Sequence, residues 1–83
     1  MIRENTILTK LGLPTIRQAN HFEATTNQYG EKLRWVLDHG DHQALHAYPT
    51  VRVAFAMAIQ IWPEADTARL TARERAIVDA ARR

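Results

Sequence analysis

The sequence contains neither cysteine nor serine, and these absences remove several classes of chemistry. Without cysteine the chain can form neither a disulfide nor a zinc site built on thiolates. Without serine or cysteine it also lacks two common catalytic nucleophiles. Glycine occurs only three times, and no glycine-rich loop that could cradle phosphate is present. We therefore predict a protein that is not an enzyme, with no cofactor and no bound metal.

A large surplus of charge is missing as well. Eleven lysines and arginines stand against nine acidic residues, so the formal net charge is +2 with histidine neutral. That balance does not by itself require a nucleic-acid partner. The 83 residues, 46% of them hydrophobic, are predicted to form a single compact domain over residues 1–83.

Strong apolar character is concentrated in residues 51–62, which end at Pro63. This segment is too short to span a bilayer, and it carries Arg52 and Gln60. The first residues show no secretion-signal pattern. We therefore expect a soluble, cytoplasmic protein without a membrane partner.

Residues 51–62 fit two kinds of secondary structure. Large apolar side chains alternate from Val51 to Ile61, which is the period of a half-buried strand. The residues between them include three alanines, which favour helix and are poor strand formers. No second strand is obvious elsewhere to pair with this segment. We predict a central apolar helix over residues 51–62.

Helix-ending residues divide the first half of the chain. Asn5 is expected to cap a helix that stops at Gly12, and Gly30 and Gly40 are expected to end two later helices. The predicted helices that follow Gly12 cover residues 15–29, 31–39 and 41–47.

The last predicted helix begins with a capping box, in which Thr71 and Glu74 each bond the backbone amide of the other. The segment Leu70–Arg75 resembles the opening of the LuxR-type DNA-binding domain. The resemblance covers this one helix, which we interpret as a generic capped helix. The predicted fold class is all-α, a small bundle of four or five short helices around the apolar helix at 51–62.

Histidine and aspartate crowd residues 38–46. If residues 41–47 are helical, His42 and His46 lie four positions apart, so their imidazoles can share a metal ion. The glutamate of the HExxH motif is missing, however, and the spacing fixes no third ligand. We interpret this segment as a polar junction between helices and predict no metal site.

Two of the predicted helices, 5–11 and 15–28, are joined by a short glycine-containing turn, as in a helix–turn–helix. The exposed face of the second helix carries side chains of types that read base edges. These candidate nucleic-acid-binding residues are Arg17, Gln18, Asn20, His21 and Gln28. Against this interpretation, no lysine cluster supplies phosphate contacts. A DNA-binding regulator that uses helix 15–28 is therefore the alternative function.

Aromatic residues indicate the preferred function. Trp35 lies off the apolar stripe of predicted helix 31–39, and aromatic and arginine side chains dominate binding energy at interfaces. The predicted partner-binding residues are Trp35, Arg34, Lys32 and Tyr48. We predict a small non-enzymatic protein-binding module that occupies a surface of a macromolecular partner, in the manner of an accessory or inhibitor protein. A homodimer and a nucleic-acid partner stay open.

Overall fold

The computed structural model of the protein describes residues 2–38 and 46–82. Over these residues the chain forms three α-helices and five short β-strands. The helices are α1 (Glu4–Leu11), α2 (Val51–Ile61) and α3 (Ala72–Arg82). The strands are β1 (Thr15–Gln18), β2 (Thr25–Thr26), β3 (Lys32–Leu33), β4 (Trp35–Asp38) and β5 (Ala47–Tyr48). The fold class is α+β, so the predicted all-α bundle is wrong.

Strand β4 is the centre of a three-stranded antiparallel sheet with the order β1–β4–β5. Ile16 of β1 lies opposite Leu37 of β4, and Gln18 lies opposite Trp35. On the other side of β4, Trp35 lies opposite Tyr48 of β5. Facing residues of antiparallel strands share one face of the sheet, which brings these five side chains to the same side.

Strands β2 and β3 form a second, two-stranded antiparallel sheet with Thr26 opposite Lys32. Between the two sheets, the Ala19 amide donates a hydrogen bond to the Arg34 carbonyl oxygen at 2.6 Å, which continues the pairing. Residues 15–38 therefore make one long hairpin. We name its outer part, residues 19–34, the hairpin arm.

This hairpin replaces two of the predicted helices, 15–29 and 31–39, which are wrong. Val36 and Leu37 are adjacent and both buried, and adjacent strand residues point to opposite faces of a sheet. Gly30, predicted to end a helix, has a φ of 81° and lies in the turn between β2 and β3. Its amide donates to the Asn27 carbonyl oxygen at 3.1 Å.

The predicted helix 41–47 lies mostly outside the described residues, as does Gly40. Its last position, Ala47, belongs to β5 and lies opposite Val36 of β4. The prediction that this helix extends to Ala47 is therefore wrong.

Helix α1 ends at Gly12, as the sequence predicts. Gly12 adopts a left-handed φ of 71° and its amide bonds the Thr9 carbonyl oxygen at 3.1 Å, while the Leu13 amide bonds that of Leu8 at 2.9 Å. This pair of bonds is a Schellman motif. The prediction that Asn5 caps α1 is wrong. Asn5 lies inside α1, and Arg3 occupies the N-cap position without a side-chain capping bond.

The other two helices confirm their sequence signals. Residues 51–61 are helical, and the Thr50 hydroxyl caps α2 by accepting from the Val53 amide at 3.1 Å. The predicted capping box opens α3: the Glu74 amide donates to the Thr71 hydroxyl at 3.1 Å, and Glu74 Oε1 accepts from the Thr71 amide at 2.9 Å. Each described helix falls short of the length and apolar character that crossing a bilayer requires.

The hydrophobic core lies between the sheet and the three helices. Helix α2 packs against β1, β4 and β5 and also against α3, so the apolar segment is the central element of the core. Its buried residues are Ala54, Phe55, Ala58 and Ile59. They pack with Ile7, Leu8, Leu11, Ile16, Leu37, Leu70 and Val78 from the rest of the fold.

Candidate functional site

Two aromatic side chains of the hairpin arm are largely in water. Phe22 is 86% exposed and Tyr29 is 79% exposed, the two highest values among the large hydrophobic residues that the structure describes. Each ring carries a large apolar surface whose burial is favourable. The arm is therefore the leading candidate for a contact surface.

An asparagine orders the turn that carries Phe22. Asn20 Oδ1 accepts from the backbone amides of Phe22, at 2.9 Å, and Glu23, at 3.0 Å. These bonds define an Asx turn, a compact unit that a single side chain stabilises. The His21 ring lies beside that of Phe22, with a distance of 3.9 Å between their centroids. The turn thus presents two adjacent rings.

The turn at the tip of the arm is built in the same way around Tyr29. Asn27 Oδ1 accepts from the amides of Tyr29, at 2.9 Å, and Glu31, at 3.0 Å. The Asn27 side-chain nitrogen also donates to a Glu31 carboxylate oxygen at 2.9 Å. In both turns the exposed aromatic residue follows the asparagine by two positions. Both rings therefore project from backbone that an asparagine side chain holds in place.

Arg17 connects the first turn to the three-stranded sheet. Its guanidinium donates to both carboxylate oxygens of Glu23, at 2.7 and 2.8 Å, and lies 3.3 Å from a carboxylate oxygen of Asp38. Glu23 also accepts from the Asn20 amide at 3.0 Å. The hydrogen bonds that Arg17 donates to Glu23, together with the negative charges of Glu23 and Asp38, raise the pKa of Arg17 above its ordinary value. Arg17 is thus half-exposed but already engaged by two carboxylates of the same chain.

The structure gathers the predicted nucleic-acid-binding residues on the hairpin, and none of them lies on a helix. Arg17 and Gln18 belong to β1, while Asn20 and His21 lie in the first turn and Gln28 in the second. All except Arg17 are exposed. Because residues 15–28 contain no helix, a helix–turn–helix that uses them is wrong.

The predicted partner-binding residues fall into two groups. Lys32 and Arg34 are exposed on the arm. Trp35 and Tyr48 are half-buried, lie opposite each other on β4 and β5, and pack against the hydrophobic core. Burial also raises the pKa of Tyr48. The helical phase that placed Trp35 away from the apolar residues is wrong, because in a strand it shares a face with Leu37.

Of the predicted histidine pair, His42 and His46, the structure describes only His46. His42 lies outside the described residues, and His46 is exposed just before β5. Within residues 2–38 and 46–82, no group of three or more histidine, aspartate or glutamate side chains is placed to hold a metal ion.

Phe22 and Tyr29 are the site residues that the sequence pattern misses. Seven positions apart, the two rings would share one face of the predicted helix 15–29, whereas the structure places both in turns and leaves both exposed. A usable signal is nevertheless present, because an asparagine stands two positions before each ring. Asparagine favours turns through bonds to backbone amides two residues on.

In comparisons with known proteins, no family model, no curated protein and no solved structure matches this chain. The resemblance of Leu70–Arg75 to the LuxR-type domain therefore carries no family assignment.

Proposed function

We propose that this protein is a small, non-enzymatic binding module that docks its hairpin arm onto a partner protein, with Phe22 and Tyr29 as anchors. The two asparagine-braced turns are the observation that supports it. Aromatic side chains give large contact area for little loss of conformational freedom. Turns that are already ordered reduce the entropy lost on binding further.

Polar and basic residues around the two rings fit the outer part of such an interface. Thr25, Thr26 and Gln28 are exposed near the rings and can hydrogen-bond to a partner, and Lys32 and Arg34 add positive charge. Interfaces commonly place aromatic anchors inside a polar rim. Glu23 pairs with Arg17, and exposed Glu31 offsets one of these two cations, so the arm keeps one excess positive charge. Rim charges mainly accelerate association and select the partner, and this charge favours a partner surface that is acidic.

An accessory or inhibitor role is one form that this binding takes, because such proteins act by covering a surface of a larger partner. The cytoplasmic location expected from the sequence stays a prediction.

Affinity capture tests the proposal. The wild-type protein and a Phe22→Ala/Tyr29→Ala variant are immobilised and exposed to nuclease-treated extract of the source cells. A Val53→Ala/Ile61→Ala variant is the matched control, because it trims exposed apolar side chains of α2 instead. We expect a partner bound by the wild type and by the control, with capture by the arm variant at least tenfold weaker. Equal capture by all three proteins would contradict a role for the arm.

Nucleic-acid binding is the second candidate, in a form that needs no helix. The adjacent rings of His21 and Phe22, together with exposed Lys32 and Arg34, favour it. Bases stack on aromatic rings and phosphates attract basic side chains, while a two-stranded ribbon also fits the major groove of DNA.

Fluorescence anisotropy with labelled single-stranded and duplex DNA decides between the two candidates. If nucleic acid is the ligand, binding weakens steeply between 50 and 200 mM salt, as expected when roughly two or more basic groups displace counterions. Lys32→Gln/Arg34→Gln then reduces the salt dependence, and Phe22→Ala weakens binding. No binding at low salt leaves the protein partner as the proposed function.

A further inference from the structure

A groove of about 590 Å³ opens between the three helices, and none of its lining residues belongs to the hairpin arm. Its apolar lining consists of Ile7 from α1, Phe55 and Ala56 from α2, and Ile77, Ala80 and Ala81 from α3. A smaller groove of about 310 Å³ shares Arg3, Ile7 and Ile77 with it and extends past Arg73. We name the two together the helix groove.

The depth of the helix groove decides what kind of ligand it suits. Ile7 and Phe55 are only 3% and 4% exposed, so they close the floor and a ligand cannot enter the core. On the walls, Ala80 is exposed and Ala56 and Ala81 are half-exposed. Small side chains at these positions allow the backbone of another element to approach closely. An open groove with an apolar floor and small side chains on its walls suits an α-helix.

The charges at the rim select the character of that helix. Arg3 and Arg52 border the larger groove and Arg73 the smaller one, and all three are exposed. Within the described residues none of them forms a salt bridge or a side-chain hydrogen bond. Two acids line the groove, Glu4 and Glu74, and Glu74 is already bound by Lys10 at 2.8 Å. Apart from Glu4, the charge left to attract a ligand is therefore positive.

We propose that the helix groove is a second binding surface, and that its occupant is an acidic amphipathic helix of another protein. The apolar residues of that helix, spaced three and four apart, cover Ala56, Ile77 and Ala80. Its flanking carboxylates pair with Arg3, Arg52 and Arg73, because the planar guanidinium group can donate two parallel hydrogen bonds to one carboxylate. The inference goes beyond the function of the hairpin arm, since a chain with two independent surfaces can join two proteins.

A designed peptide serves as the probe. It is a 15-residue lactam-stapled helix with leucines three and four positions apart and glutamates on both flanks. One control peptide carries lysine in place of every glutamate, and the other carries the same residues with the leucines scrambled. Each is titrated to millimolar concentration into protein with ¹³C-labelled alanine and isoleucine methyl groups. We expect the methyl signals of Ala56, Ile77 and Ala80 to shift, with a Kd at least tenfold lower for the acidic peptide than for either control.

Matched variants localise the effect. Arg52→Gln is expected to weaken the acidic peptide at least threefold, whereas Arg69→Gln, at an exposed arginine outside the groove, leaves its Kd unchanged. Ala80→Gln places a longer side chain in the groove and weakens binding at least fivefold. Ala76→Gln adds the same side chain at an exposed position of α3 outside the groove lining, and we expect it to leave the Kd unchanged.

Three results would overturn the proposal. The groove methyl signals stay unmoved at millimolar acidic peptide, or the lysine peptide binds equally well, or the same signals shift on simple concentration of the protein. The last result identifies a second copy of this chain as the occupant. Phe22→Ala/Tyr29→Ala must leave the titration unchanged, so failure of the hairpin arm as a docking site is distinguishable from failure of the helix groove.

Discussion

Asn5 of α1 forms two hydrogen bonds with the backbone of Ile16 in β1. Its side-chain nitrogen donates to the Ile16 carbonyl oxygen at 2.8 Å, and Oδ1 accepts from the Ile16 amide at 2.7 Å. A primary amide offers the same donor and acceptor as a peptide group, so Asn5 pairs with the free edge of β1 as a strand would. This contact joins the first helix to the sheet that carries the hairpin arm.

Asn5→Ala is expected to lower the free energy of unfolding by about 1–3 kcal/mol, because two bonds are lost and the Ile16 backbone loses both partners. Urea denaturation measures the change. Thr9→Ala is the matched control, since Thr9 is exposed on the same helix and forms no side-chain hydrogen bond in the described structure. A loss equal to that of the control would mean that water replaces Asn5 at the sheet edge.

Glu74 makes part of the stability dependent on pH. The hydrogen bond from Lys10, and after it the bond from the Thr71 amide, holds the pKa of Glu74 below its ordinary value of 4.5. A lowered folded-state pKa stabilises the fold fully above pH 4.5, and the contribution disappears as pH falls through the folded-state value. We expect Glu74→Gln to melt below the wild type at pH 7, with the difference closing under acid conditions.

Glutamine keeps an oxygen that can still cap α3, so the substitution isolates the ion pair with Lys10. Thermal melts between pH 7 and pH 3 measure the difference, and Lys10→Gln should reproduce most of its pH dependence. A gap between wild type and Glu74→Gln that stays constant over this range would assign the effect to packing instead of charge.

The features that sequence reasoning predicts correctly are those decided within about one helical turn. Gly12 ends α1 because only neighbouring backbone groups take part in its motif. The bonds between Thr71 and Glu74 are equally local, and they start α3 at the predicted place. For the 51–62 segment, alanine content indicated helix correctly although alternation indicated a strand.

The hairpin could not be predicted in this way, because its pairing is not local. Ile16 owes its burial to the sheet and to Leu37 opposite it, which is far along the chain. Phe22 and Tyr29 meanwhile lie seven positions apart, which is a helical spacing, although both stand in turns. The polar residues of the candidate site were correctly expected to be exposed, with Arg17 the exception. Their meeting on one arm follows only from the strand pairing.

Trp35 is now expected to contribute to the fold, since it is half-buried against the core and opposite Tyr48. Trp35→Ala should lower the free energy of unfolding by about 2 kcal/mol, roughly half the loss for a fully buried aromatic residue. Lys32→Ala, at an exposed position of the same hairpin, should stay within about 0.5 kcal/mol of the wild type. Unchanged stability of Trp35→Ala with weakened partner capture would return Trp35 to the interface.

The two asparagine-braced turns lead to a prediction that separates the order of the arm from the identity of its rings. Asn27→Ala removes the acceptor for the Tyr29 and Glu31 amides and leaves Tyr29 itself intact. Because the turn is exposed, we expect the free energy of unfolding to change by less than about 1 kcal/mol. Backbone ¹⁵N order parameters of residues 28–30 should fall from about 0.85 to below about 0.6.

If the arm binds as an ordered unit, capture of the partner should weaken with the ring still present, because a mobile turn must be ordered on binding. Asn20→Ala should act in the same way on Phe22, and Thr9→Ala is the control, since Thr9 is exposed on α1 outside the arm and its side chain forms no hydrogen bond in the described structure. Loss of order without loss of capture would mean that the rings bind as independent flexible contacts. Unchanged order parameters would mean that strand pairing, rather than asparagine, holds the turns.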